Sequence, residues 1–242
     1  MLFAAGMGIG LMFWSVAEPV AYYTNWAGTP LGVIEKTPEA AKLALGATMF
    51  HWGLHPWAIY GVVGLSLAFF TYNKGMPLTI RSGFYPLFKD HVWGWFDHVI
   101  DIIAVLATLF GLATSLGFGA TQAASGLKFL FGFDGGIETQ IIVIAGVTSV
   151  AVISVVRGLD GGVKILSNIN MCLAAALLAF VFIAGPTAAI LSSMATTAVS
   201  YAENIIPFSN WIGRDDTKFF QGWTVFILGL VDFLVAFCRH VH

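Results

Sequence analysis

The sequence predicts an all-α integral membrane protein, and three observations predict it. Mean hydropathy is +0.84, with 58% hydrophobic residues. Only 10% of the 242 residues are charged, where a soluble domain carries about 25%. The apolar residues also gather into runs near membrane-spanning length, about 20 residues, separated by polar stretches. A net charge of −2 gives no footprint for nucleic acid. The two cysteines, Cys172 and Cys238, lie in apolar segments, which argues against a disulfide scaffold or a zinc site.

The expected membrane segments are 1–16, 48–72, 96–118, 139–156, 168–191 and 219–237. The first is short of a full span and reads as the last part of a helix whose beginning is missing. Residues 18–47 form a polar connection with Pro19, Pro30 and Pro38. The loop at 73–95 carries Lys74, Arg81 and Lys89, 119–138 is a glycine-rich loop, and 157–165 is a tight turn around Asp160-Gly161-Gly162. Residues 192–218 are polar, with room for a short surface helix. Lys and Arg are densest in the 73–95 and 157–165 loops, which favours that side as cytoplasmic.

Within the first run, Gly6, Gly8 and Gly10 alternate with apolar residues. Two readings stand side by side. Small residues permit close helix packing. Alternatively, glycines weaken the helix, and a broken membrane helix can build a substrate and ion site.

The second run opens His51-Trp52-Gly53-Leu54-His55-Pro56-Trp57-Ala58-Ile59-Tyr60. His51 and His55 share a helical face, a spacing able to hold a metal, so a membrane metal enzyme is one alternative; helix-end polar groups are the simpler reading. Trp52, Trp57 and Tyr60 can converge beside the interruption at Pro56. Aromatic faces attract a quaternary ammonium without a hydrogen bond, so these rings suit a hydrophobic cation better than an interfacial belt. Deeper, Thr108 either bonds its own backbone or binds an ion, and the backbone reading is the simpler.

Four stretches then carry a resemblance. They are Ala5-Gly6-Met7-Gly8-Ile9-Gly10-Leu11-Met12-Phe13-Trp14-Ser15-Val16-Ala17-Glu18-Pro19, the 51–60 stretch, Gly111-Leu112-Ala113-Thr114-Ser115-Leu116-Gly117-Phe118-Gly119, and Ile165-Leu166-Ser167-Asn168-Ile169-Asn170-Met171. They are similar to motifs of the betaine/choline/carnitine transporter family. The resemblance implies the first five-helix repeat of an inverted-repeat (LeuT-like) transporter core plus the start of the second, helices three to eight of twelve. The whole of 1–242 is then one partial transporter domain in a bacterial-type inner membrane, multi-pass. The implied substrate is a trimethylammonium compound moved by alternating access, with no cofactor other than a coupling sodium ion.

By the same resemblance, Met7, Gly8 and Gly10 fall at an unwound, substrate-binding segment, and Trp52, Trp57 and Tyr60 on the aromatic box. Backbone oxygens of Ala4 and Met7 match one sodium site and Thr108 another, although Leu112 stands where a second threonine is expected. Gly10, where some choline carriers have an aspartate, tilts the substrate to glycine betaine over choline or carnitine. The full-length form is expected to be a homotrimer. After Gln221-Gly222-Trp223-Thr224-Val225-Phe226 the family's tryptophan box disappears. One codon choice for 231–242, read a base later, restores Trp-Ile-Ser-Trp-Ser-Pro-Phe-Val-Gly-Met-Phe. The expectation is a frameshift near Phe226, leaving Asp232, Cys238, Arg239, His240 and His242 without function. A non-functional truncated remnant of such a carrier is the alternative that follows.

Overall fold

In the computed structural model, residues 2–89, 94–210, 212–219 and 224 are described. Among them every regular element is helical. Four stretches are long and apolar enough to cross a membrane: Pro38–Asn73, His98–Phe131, Ile137–Val156 and Gly161–Ala184. Little of these stretches is buried within the molecule, and large apolar side chains such as Leu173, Leu178, Phe180 and Ile183 stand exposed. A helix apolar all round needs lipid or protein on those faces. The chain divides into two compact units, Met1–Ala17 with Ser115–Ala202, and Glu18–Thr114 with Glu203–His242.

Helix α1 runs Leu2–Tyr23 with Pro19 inside it, so the expected polar connection begins as helix. Its continuity corrects the expected unwinding at Gly6 to Gly10. Each glycine costs a helix about 1 kcal/mol relative to alanine, too little to break 22 residues whose backbone bonds are internal. A 3₁₀ turn at Pro30–Gly32 follows. Helix α2, Pro38–Trp52, starts where the Thr37 hydroxyl accepts the Ala40 N–H at 3.1 Å, an N-cap with proline at the first position.

Helix α3, Leu54–Ala68, follows after one residue. The interruption therefore falls at Gly53, not at Pro56 as the sequence suggested. Pro56 has no N–H for the Trp52 carbonyl and its ring would collide with it. The break settles on Gly53, where a Cβ would lie 2.4 Å from the Met49 carbonyl oxygen. A π turn, Phe69–Asn73, ends this stretch, and short helices α4, Ile80–Gly83, and α5, Tyr85–Phe88, fill the loop beyond.

Helix α6 spans Trp95–Phe131, which corrects the expected loop at 119–138. The Thr121 and Ser125 hydroxyls donate to the Gly117 and Thr121 carbonyls at 2.9 Å, so the polar residues stay satisfied inside the helix. It stops at Gly132, whose φ of +73° suits glycine. Helix α7 covers Ile137–Val156, and a π turn at Leu159–Val163 leads to α8, Lys164–Ala184. The fifth segment ends at Gly185-Pro186, earlier than expected. Helix α9, Thr187–Ser209, replaces most of the predicted polar stretch, and α10, Thr217–Phe219, closes the described chain. The sixth segment beyond Phe219 and the expected frameshift at 227–242 lie outside the described residues, Thr224 apart.

In the first unit, Ile9 of α1 shares an apolar pocket of about 10 Å³ with Leu116, Ala120, Val143, Ile144 and Val147. In the second unit, the core is aromatic. Phe50 packs on Phe208 at 5.6 Å between ring centroids, and Tyr22 meets Phe219 edge-on at 5.0 Å. A polar clamp closes this unit. Arg214 grips Asp216 through two bonds of 2.7 and 2.5 Å, and its Nη1 also reaches the carbonyls of Pro207, Phe208 and Asn210 at the end of α9. Asp216 accepts the Leu31 N–H at 2.9 Å. Burial alone would raise the Asp216 carboxyl, but Arg214 and the Leu31 N–H outweigh it and hold it below its usual range.

Candidate functional site

The predicted site residues fall on both units, and each set stands on its own. In the first unit, Ala4, Met7, Gly8 and Gly10 all lie in the helical backbone of α1. A helical carbonyl is already committed to an N–H four residues on, so freeing the Ala4 or Met7 oxygen for an ion requires local unwinding. A Cβ at Gly8 or Gly10 would meet nothing within 4 Å. No close packing in the described chain therefore demands these glycines.

In the second unit, the Gly53 break separates Trp52, the last residue of α2, from Trp57 and Tyr60 in the first turns of α3. The Trp57 and Tyr60 rings lie 5.7 Å apart at 46°. Trp57 is 67% exposed, so its faces are open to a ligand or to lipid. Trp52 has a second engagement, its indole N–H donating to Glu18 Oε2 at 2.5 Å.

That bond belongs to a cluster the sequence reading missed. Glu18 and His51 are both fully buried. Glu18 Oε1 accepts from the Tyr22 hydroxyl at 2.8 Å and from His51 Nδ1 at 2.6 Å. His51 Nε2 pairs with the Thr224 hydroxyl at 2.9 Å. The carboxylate thus receives three donors, and a buried carboxylate persists only with such partners. The available signal was a lone carboxylate at the end of an apolar run, with tyrosine one turn later.

These bonds occupy both ring nitrogens of His51, while His55 Nε2 meets the Ser209 hydroxyl at 3.0 Å. Among the described residues no three His, Cys, Asp or Glu side chains gather to hold a metal. Thr108 departs from the simpler reading: its hydroxyl is buried with no hydrogen-bond partner among the described residues. Thr114, on the same helix, donates to the Phe110 carbonyl at 2.7 Å in the expected way.

A family model described as BCCT, betaine/carnitine/choline family transporter, matches residues 1–236. The chain belongs to the betaine/carnitine/choline transporter family. Among its curated relatives is glycine betaine transporter 1 of Vibrio parahaemolyticus, 69% identical over 226 residues, covering 93% of this chain and 43% of that protein. A glycine betaine/proline/choline/ectoine transporter of the same organism is 62% identical over 227 residues, covering 93% of this chain and 40% of that one. The Bacillus subtilis glycine betaine transporter OpuD is 43% identical over 229 residues, with 93% and 44% covered. The chain spans about two fifths of the length of these relatives. They are transporters, not enzymes, and the metal-enzyme reading of His51 and His55 is set aside on that ground.

Proposed function

We propose that the chain is the substrate-binding part of a secondary transporter for trimethylammonium compounds, with glycine betaine favoured over choline and carnitine. The observation that carries this is the exposed Trp57 ring beside half-buried Tyr60, on a helix start opened at Gly53. A trimethylammonium nitrogen bears four carbons, with no N–H to donate and no lone pair to accept. Aromatic faces hold it electrostatically, at roughly 0.5–2 kcal/mol per ring. Relatives named glycine betaine transporters support the same substrate. Gly10 places no carboxylate beside the substrate, which suits a zwitterion over a cation.

Sodium drives the carrier in this reading. Thr108, with its free buried hydroxyl, contributes to one ion site, and the Ala4 and Met7 carbonyls contribute to another when α1 unwinds. The fold is half of an inverted-repeat core working by alternating access, multi-pass in a bacterial inner membrane, and the full-length protein is a homotrimer. Glycine betaine uptake by a full-length protein carrying this segment tests the substrate. Trp57→Ala should weaken apparent affinity by about 1 kcal/mol, roughly fivefold, with membrane abundance unchanged. Unchanged affinity would remove Trp57 from the site.

A further inference from the structure

Trp52 presents two different surfaces. Its ring faces are what a quaternary ammonium would use, whereas its N–H edge is committed to Glu18 Oε2. The indole N–H is a donor only and the ionised carboxylate an acceptor only, so the bond has one polarity. The remaining carboxylate oxygen is held by Tyr22 from the same helix and by His51 from α2, and His51 is braced in turn by Thr224. Phe219 packs against both Tyr22 and His51, at 5.0 and 5.8 Å between ring centroids. The acceptor therefore has little freedom, and it grips the last residue before the Gly53 break.

We propose that Glu18 is a positioning residue for substrate: its buried carboxylate fixes the Trp52 indole, setting the angle and electron density of that wall of the aromatic site. The proposal rests on the aromatic reading of Trp52 given above. A tryptophan side chain has two rotatable bonds, and an edge hydrogen bond removes most of the freedom that packing leaves. An acceptor at the N–H edge also polarises the indole toward its ring, which strengthens its attraction for a cation over its face. Ligand and carboxylate approach different surfaces of the indole, so they do not compete.

A double-mutant cycle in a full-length protein carrying this segment tests this, with KM and maximal rate for glycine betaine uptake measured alongside membrane abundance. Trp52→Phe keeps a ring but loses the N–H. Glu18→Met fills similar space without an acceptor, and Glu18→Gln keeps one carbonyl for the indole. The expected result is a KM raised about fivefold by Trp52→Phe and similarly by Glu18→Met, with maximal rate little changed. The double mutant should be no worse than either single one, because both remove the same bond. Glu18→Gln should restore KM to within about twofold of wild type. A raised KM in Trp52→Phe with no change in Glu18→Met, or effects that multiply, would overturn the positioning role. No change in Trp52→Phe, which keeps a ring, would also overturn the positioning role, whereas no change in Trp52→Ala would instead defeat the aromatic reading of Trp52, a separate failure. If Glu18→Met does not reach the membrane, ultraviolet resonance Raman spectra of wild type minus Trp52→Phe decide the matter. A strongly hydrogen-bonded indole band supports the proposal, and a free N–H band refutes it.

Discussion

Two glycine sites, Gly8 and Gly10 in α1 and Gly53 between α2 and α3, look alike in sequence and differ in what the structure asks of them. A Cβ at Gly8 or Gly10 would enter open space, while one at Gly53 would fall 2.4 Å from the backbone oxygen of Met49. One stretch tolerates side chains and is helical all the same; the other is a break only glycine permits. The difference teaches that glycine spacing alone does not locate an unwound segment. A proline three residues downstream, which strips a carbonyl of its partner, does so more directly.

Substitution at Gly53 should have the largest effect. Gly53→Ala should cost roughly 3 kcal/mol or more, because a backbone oxygen cannot swing aside as a side chain can. Thermal unfolding in detergent should show a large drop in midpoint; a midpoint within a degree or two would mean the break is not steric.

Thr108→Val sharpens the comparison by removing a buried hydroxyl that makes no bond among the described residues. Stability should hold or rise slightly, since an unpaired buried polar group is lost. The sodium concentration for half-maximal uptake should rise several-fold, by about 1 kcal/mol of ion affinity. An unchanged sodium requirement would return Thr108 to a packing role.

Gly8→Ala should have the smallest effect on the fold, stabilising α1 by up to about 1 kcal/mol. A lower unfolding midpoint would show that the resting chain spends time unwound there, dissolving the contrast with Gly53.

The contrast also marks what was legible in the sequence. Apolar runs gave the membrane helices, since a spanning segment has a length and composition that little else shares. Helix ends were less legible. Residues 119–131 continue α6 because isolated glycines are affordable and hydroxyls satisfy themselves on the preceding turn. Helix α9, rich in Ala, Ser and Thr, lacked the apolar run that marked the others. That the Trp57 and Tyr60 rings meet was readable from spacing, whereas the Glu18 cluster was not. Its members lie 33 and 34 residues apart along the chain, and no local period announces a pairing of that range.

The central claim is that a trimethylammonium group is held by its charge on aromatic faces, not merely by its shape. Competition against radiolabelled glycine betaine uptake, with unlabelled glycine betaine and with 3,3-dimethylbutanoate, tests it directly. The second compound keeps the carboxylate and the three methyl groups but replaces the cationic nitrogen with carbon. If ring faces attract the cation, glycine betaine should compete at least tenfold better, about 1.4 kcal/mol, with the gap narrowing in Trp57→Ala. Equal competition by the two compounds would contradict the account.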